Sequence, residues 1–191
     1  PPPPPPSFFY TPTRPYAILS GLVGSEMCIR DSHSALENVY ALAEADEIKH
    51  INLIRDYDPS IPEINGDENL FIQALLNIVK NAQQAVEGTQ DAFIEIKSRI
   101  EYGKPINGII HQTICCIEIR DNGPGIPEHL HDQVFFPMVS VKENGSGLGL
   151  TIAQDIIRIH GGSIFFNSNP GDTVFAIYIP IKIENKESKI A

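Results

Sequence analysis

Two glycine-bearing stretches constrain this chain more than any other feature: Arg120-Asp121-Asn122-Gly123-Pro124-Gly125-Ile126-Pro127 and Gly145-Ser146-Gly147-Leu148-Gly149-Leu150. The first places a carboxylate, Asp121, at the end of an apolar strand pattern, where it can accept a hydrogen bond from a buried exocyclic amine. Its glycines let backbone come close to a flat ring. The second runs straight into a helical pattern, the arrangement in which free N–H groups and the helix dipole face an anion. Together they read as sites for the two ends of a purine nucleotide, and the chain is expected to bind ATP.

The pattern around them is regular from His33 onward. Ser34–Glu47 has helical spacing (Leu36, Val39, Tyr40, Ala43), and Ile51–Tyr57 alternates as a strand that Pro59 and Pro62 close. Asp67 predicts the cap of a long helix through Val86, with Ile72, Leu75, Leu76, Val79 and Val86 as its apolar stripe. Phe93–Ile100 and Thr113–Arg120 are predicted strands separated by a turn-rich Gly103–Gly108. Glu128–Ser146 is polar and glycine-containing, so it reads as a loop or lid around a short helix. Leu148–Ile159 is expected to be a helix stopped by Gly161-Gly162. Two last strands, Ser163–Asn167 and Thr173–Ile181, flank the turn Asn169-Pro170-Gly171-Asp172. Three helices segregated from mostly hairpin-linked strands predict an α+β two-layer sandwich, with a mixed, mostly antiparallel sheet packed on the helices.

Residues 1–32 do not share this regularity. Six prolines open the chain, and the segment reads as foreign to the domain at 33–183, with 184–191 as a tail. The formal charge of −10 over 191 residues argues against nucleic acid or an anionic membrane as partner, so an anionic nucleotide must be held by local features. No apolar run approaches the ~20 residues that cross a bilayer. The three cysteines lack paired spacing and read as buried thiols in a reducing, cytoplasmic setting.

On the long predicted helix, Gln73, Asn77, Asn81 and Gln84 share one face opposite the apolar stripe. Solvated helix faces are normally Glu, Lys and Arg, because asparagine is a poor helix former. Two asparagines four apart suggest neutral oxygen ligands aimed into a cleft, which suits a Mg²⁺ already among phosphate charges. Lys80 beside them could reach a phosphate or stay solvated. Each signal is weak alone. Asp-Asn-Gly is common hairpin chemistry, and the second glycine cluster is neither a dinucleotide fingerprint nor a Walker loop. Their order gives them weight: an Asn-rich helix, Asp-x-Gly-x-Gly, Phe135-Phe136-Pro137, then Gly-x-Gly-x-Gly opening a helix.

That ordered set resembles the catalytic ATP-binding domain of sensor histidine kinases, within the wider family that includes gyrase, Hsp90 and MutL ATPases and has the Bergerat-type fold. The resemblance covers about residues 33–183. Arg55-Asp56-Tyr57-Asp58-Pro59-Ser60-Ile61-Pro62 and Phe136-Pro137-Met138-Val139-Ser140 look like the nitrogen-regulation branch. It implies that Asn81 is a Mg²⁺ ligand, with Asn77 a phosphate-side contact. It implies that Asp121 accepts from the adenine amino group, with Gly123 and Gly125 shaping the base pocket and Thr173 supporting Asp121 through a hydroxyl or water. Phe135 and Phe136 would anchor a mobile lid, and Ser146, Gly147, Leu148 and Gly149 would present N–H groups to the phosphates. Ile126, Phe136 and Lys142 complete the set expected to contact nucleotide. Val141 stands where the branch usually has glycine.

In the ATPase branches of this family a glutamate lies four residues before the metal-binding asparagine and activates water. Asn77 is an amide, so the resemblance implies no base for hydrolysis. Phosphotransfer to a neutral histidine needs positioning plus Mg²⁺ and no such base. The acceptor histidine of the family lies on a separate helical hairpin, and none of the six histidines has its context. The implied partners are that histidine-containing dimerisation domain, a cognate response regulator of the NtrC type, and a small nitrogen-signalling regulatory protein. A stand-alone gyrase- or Hsp90-type ATPase, or a non-catalytic nucleotide-binding module, is the alternative.

Overall fold

Each alternating segment forms a strand and each segment of helical period a helix. The computed structural model describes residues 28–29, 32–45, 50–139 and 147–181. In chain order these form β1 (Cys28–Ile29), α1 (Ser32–Ala45), β2 (Asn52–Tyr57), β3 (Ile64–Asn65), α2 (Glu68–Ala85), β4 (Phe93–Ile106), β5 (Ile109–Asp121), a 3-10 turn (Glu128–Gln133), α3 (Gly149–Ile159), β6 (Ser163–Asn169) and β7 (Asp172–Pro180). Five strands make one sheet in the order β2-β4-β5-β7-β6. Only β2 and β4 run parallel within it, and a parallel pair needs a crossover, which α2 supplies. All other pairs are antiparallel, so the mixed, mostly antiparallel sheet expected from the sequence is what forms.

Alternation gives the sheet one buried face. Ile94 and Ile96 on β4, Cys115, Ile117 and Ile119 on β5, and Phe175, Ile177 and Ile179 on β7 join a core with residues of all three helices. The thiol of Cys115 is pushed up to about 12 by burial, so it is inert as a nucleophile.

α2 starts where its cap predicts: the Asp67 carboxylate accepts from Asn69 N–H at 2.9 Å and Leu70 N–H at 3.1 Å. Its buried face contains Leu75, Val79 and Val86 of the expected stripe and is broader than that stripe. Phe71, Ala74, Leu75, Ile78, Val79, Ala82 and Gln83 are buried, while Ile72 and Leu76 are only partly covered. α2 packs on α1, α3 and the sheet together, so its buried face is broad and rotated toward the small residues that permit close approach. Gln83 belongs inside because its Nε2 donates to the Ala43 carbonyl at 2.9 Å, in the last turn of α1 where carbonyls lack helical partners.

The expected Gly103–Gly108 loop is also corrected. β4 and β5 stay paired as far as Ile106 and Ile109, and the reversal takes only Asn107 and Gly108, at φ 51° and 80°. Asn-Gly with both residues left-handed is the tight hairpin chemistry that matches strand twist. α3 ends as Gly161-Gly162 predicts, with Gly162 N–H donating to Ile157 and Gly161 N–H to Arg158. Within the segment expected to be foreign, Cys28 and Ile29 pair by backbone with Asn65 and Ile64.

Candidate functional site

Asp121 is the last residue of β5 and is 2% exposed. One carboxylate oxygen accepts from Gly123 N–H at 2.9 Å. Burial pushes the carboxyl above its usual range, Asp172 adds to this, and the Gly123 N–H opposes it. Gly123 has no space for a side chain, since a Cβ there would lie 2.8 Å from the Asp121 carboxylate and 3.0 Å from the Ala85 carbonyl. The result is a desolvated acceptor beside bare backbone, which can recognise an amine on a flat ring.

The loop after Asp121 is held by the β6–β7 hairpin at three points. The Gly123 carbonyl accepts from Gly171 N–H at 2.8 Å. Gly125, at φ 84°, sits so close to Asn169 and Pro170 that a Cβ would be 3.0 Å from backbone. Ile126 N–H donates to Ser168 Oγ at 2.8 Å. Thr173 pairs with Asp121 in register, as its expected supporting role requires, but its hydroxyl meets Ser168 at 2.9 Å.

The expected phosphate end lies between α2 and α3. A Cβ on Gly149 would stand 3.8–3.9 Å from atoms of Asn81 and Asn77, so the start of α3 faces both asparagines. Asn77 is half-buried, and its buried Nδ2 has no hydrogen-bond partner among the described residues. Leu148 caps α3 without a side-chain hydrogen bond of its own, and the helix presents its positive end there, where an anion is favoured. Lys80 is exposed on α2. This half of the site brings amides and a positive helix end to one place and can hold phosphate oxygens.

The two lid phenylalanines part company. Phe135 is half-buried, its ring 6.0 Å from that of Phe166, and its carbonyl accepts from Thr151 Oγ1 at 3.1 Å. Phe136 is 58% exposed. Met138 N–H donates to the Gly147 carbonyl at 3.1 Å, closing the base of the segment between them. Residues 140–146 lie outside the described residues, and with them Val141, Lys142 and Ser146.

Three residues of the site's frame escaped the sequence reading. Ser168 joins the base loop to Thr173. Asn122 accepts from Phe93 N–H at 2.9 Å and donates to the Asp91 carbonyl at 3.0 Å, tying the loop to the start of β4. His160 accepts from Asp67 N–H at 3.1 Å through Nε2, so Nδ1 carries the proton toward the Ile156 carbonyl at 2.7 Å. It joins the end of α3 to the start of α2.

Residues 66–183 match the family described as histidine kinase-, DNA gyrase B-, and HSP90-like ATPase. The sensory histidine kinase/phosphatase NtrB of Klebsiella oxytoca is 43% identical over 150 residues, spanning 78% of this chain and 43% of that protein. NtrB of Vibrio alginolyticus is 46% identical over 149 residues, with the same shares. The catalytic domain of histidine kinase ThkA superposes with a TM-score of 0.64 at 29% identity, covering 78% of this chain and 91% of that one. ThkA in complex with response regulator protein TrrA gives a TM-score of 0.62 at 26% identity, covering 82% and 42%. The chain thus spans about two fifths of the length of the curated relatives it matches.

Proposed function

Because this chain belongs to the histidine kinase-, DNA gyrase B- and HSP90-like ATPase family, we propose that it is the ATP-binding catalytic domain of a two-component sensor histidine kinase of nitrogen regulation. It donates the γ-phosphate of Mg-ATP to a histidine on a separate dimerisation domain. The likeness to NtrB proteins supports the subfamily. Asp121 takes the adenine amine while Gly123, Gly125 and Ile126 bring backbone to the ring. The α3 start from Gly147 to Gly149 takes the phosphates, and Asn81 takes the metal, with exposed Lys80 beside it. The orphaned Nδ2 of Asn77 and the open cradle at Gly149 suit a phosphate with its metal. Mg²⁺, when bound, offsets the charge that builds on the transferring group.

The observation that carries the reading is Asn77. It stands one turn before Asn81 and faces α3, where a hydrolase would need a carboxylate to activate water. An amide can orient a phosphate but cannot take a proton. The chain then holds the nucleotide in line for an acceptor that comes from elsewhere, and proximity supplies the rate. The acceptor partner is the dimerisation domain, and the phosphate passes on to an NtrC-type response regulator. A small nitrogen-signalling protein regulates the exchange. Among the described residues no helix is long and apolar enough to cross a membrane, and the domain works in the cytoplasm.

Radiolabelled ATP tests this. The chain alone should bind Mg-ATP, release little phosphate and take up no stable label, and a cognate dimerisation hairpin added in trans should become labelled on histidine. Brisk hydrolysis by the chain alone would show that it is an ATPase instead.

A further inference from the structure

Three neighbouring strands put three oxygen-bearing side chains in one row. Ser168 on β6 stands opposite Thr173 on β7, and Thr173 stands opposite Asp121 on β5. All three are buried, at 9%, 3% and 2% exposure. A hydroxyl brings one proton and two lone pairs. Ser168 Oγ already accepts from Ile126 N–H at 2.8 Å, and it lies 2.9 Å from Thr173 Oγ1. If Thr173 donated to Ser168, both lone pairs of Ser168 would be filled and its own proton would be stranded in a buried place. If Ser168 donates to Thr173, Ser168 is satisfied, and the spare proton belongs to Thr173, next to Asp121. Either hydroxyl can donate, but with adenine N1 or a water beside Thr173 as acceptor only the second arrangement satisfies both buried protons, so nucleotide selects it.

We propose that Ser168 is a specificity-determining positioning residue of the base site: it fixes Thr173 as a donor beside the Asp121 acceptor and holds the Ile126 end of the loop. This rests on the reading of Asp121 as the base contact. The pocket edge then runs acceptor, donor. Adenine presents the complement, a 6-amino donor next to the N1 acceptor, which Thr173 meets directly or through one water. Guanine presents the reverse, an O6 acceptor next to an N1–H donor, and is mismatched at both positions. Ser168 touches no nucleotide in this scheme. It acts by deciding which way a neighbouring proton points, and by fastening the loop that carries the ring's backbone contacts.

The test compares ATP, GTP and 1-deaza-ATP, in which N1 is replaced by CH, by calorimetry on the whole chain. The wild type should bind ATP about tenfold more tightly than 1-deaza-ATP. Ser168→Ala should shrink that ratio at least threefold, because the Thr173 proton is no longer directed. Thr173→Val should shrink it as far, and the double variant no further. Should Ser168→Ala fail to fold, Ser168→Cys, of similar size and a weaker donor, must also shrink the ratio. Equal loss of affinity for ATP and 1-deaza-ATP, leaving the ratio unchanged, would make Ser168 a structural support alone and overturn the proposal. A wild type that prefers ATP over GTP but not over 1-deaza-ATP overturns it while sparing the Asp121 assignment. No preference for ATP over GTP overturns both.

Discussion

Replacing Asp121 by asparagine separates what the carboxylate does for binding from what it costs the fold. The side chain keeps its size, so Gly123 and the Ala85 carbonyl are not disturbed. One oxygen is committed to Gly123 N–H at 2.9 Å, and in the role proposed for Asp121 the other takes the adenine amine. The carboxylate can serve both donors, but an amide has one oxygen and one NH₂ group. Asp121→Asn must either keep the Gly123 bond and point its NH₂ at the adenine NH₂, or turn over and face Gly123 N–H with a donor. The lost bond is charge-assisted and worth about 1.5–3 kcal/mol, so ATP affinity should fall about ten- to a hundredfold. Stability should move the other way. Burial holds the Asp121 carboxyl above its ordinary value of 3.8, so the ionised form is disfavoured in the folded state, and removing that charge should leave the melting temperature of the nucleotide-free chain unchanged or raised. Calorimetry with Mg-ATP and Mg-GTP, beside a thermal melt, reads both quantities. An unchanged ATP affinity would refute the role of the carboxylate, and a large fall in melting temperature would refute the argument about its charge.

The same raised value gives ATP binding a pH dependence. As pH falls through the folded-state value, which lies above 3.8, the carboxylate gains a proton and loses the charge that strengthens its bond to the amine, while its contribution to stability grows toward lower pH. ATP affinity should therefore fall as pH is lowered through that value, with that step absent in Asp121→Asn; identical pH profiles would sink the assignment. Gly147→Ala should cost about 1–3 kcal/mol, because φ is +63° and the new Cβ would lie 2.7 Å from the Met138 carbonyl carbon, so a melting temperature within 1 °C of wild type would contradict the geometry. His160→Ala removes the acceptor of Asp67 N–H and the donor to Ile156, and about 1–3 kcal/mol should be lost in chemical denaturation; no loss would mean that α2 and α3 are joined otherwise.

What could be read in the sequence was what is decided within a few residues. The Asp67 cap acts on residues two and three positions on, Asp121 on Gly123, and the Gly161-Gly162 stop on the last turn of α3. Nucleotide-site motifs are of the same kind, short loops whose glycines serve local backbone. Gln83, Asn122 and His160 read as ordinary polar residues because their partners lie 40, 31 or 29, and 93 positions away, and no periodicity carries that information. Ser168 is different. It lies five residues from Thr173 across a hairpin whose turn was recognised, and counting the register outward from Asn169 and Asp172 pairs the two. The α2 stripe was legible at Leu75, Val79 and Val86, while burial of Phe71, Ala74, Ile78 and Ala82 comes from packing on several elements at once, which one helical period does not show. The hairpin tip lies at Asn107-Gly108, the stronger of the two turn signals, and Gly103 stays inside β4.

β7 is the last described strand in the sequence, yet it is paired on both sides, with β5 on one and β6 on the other. Ribosomal synthesis at about 5–20 residues per second delivers Asp121 several seconds before Thr173. During that interval the β5 edge has no neighbour, and unpaired edges invite pairing with other chains. The hairpin that fastens the base loop does not yet exist, so the nascent chain cannot hold a nucleotide at this site. Arrival of β7 closes the sheet and completes the pocket in one event. In the role proposed for this site, nucleotide binds the finished fold alone, and ATP would favour that fold by mass action.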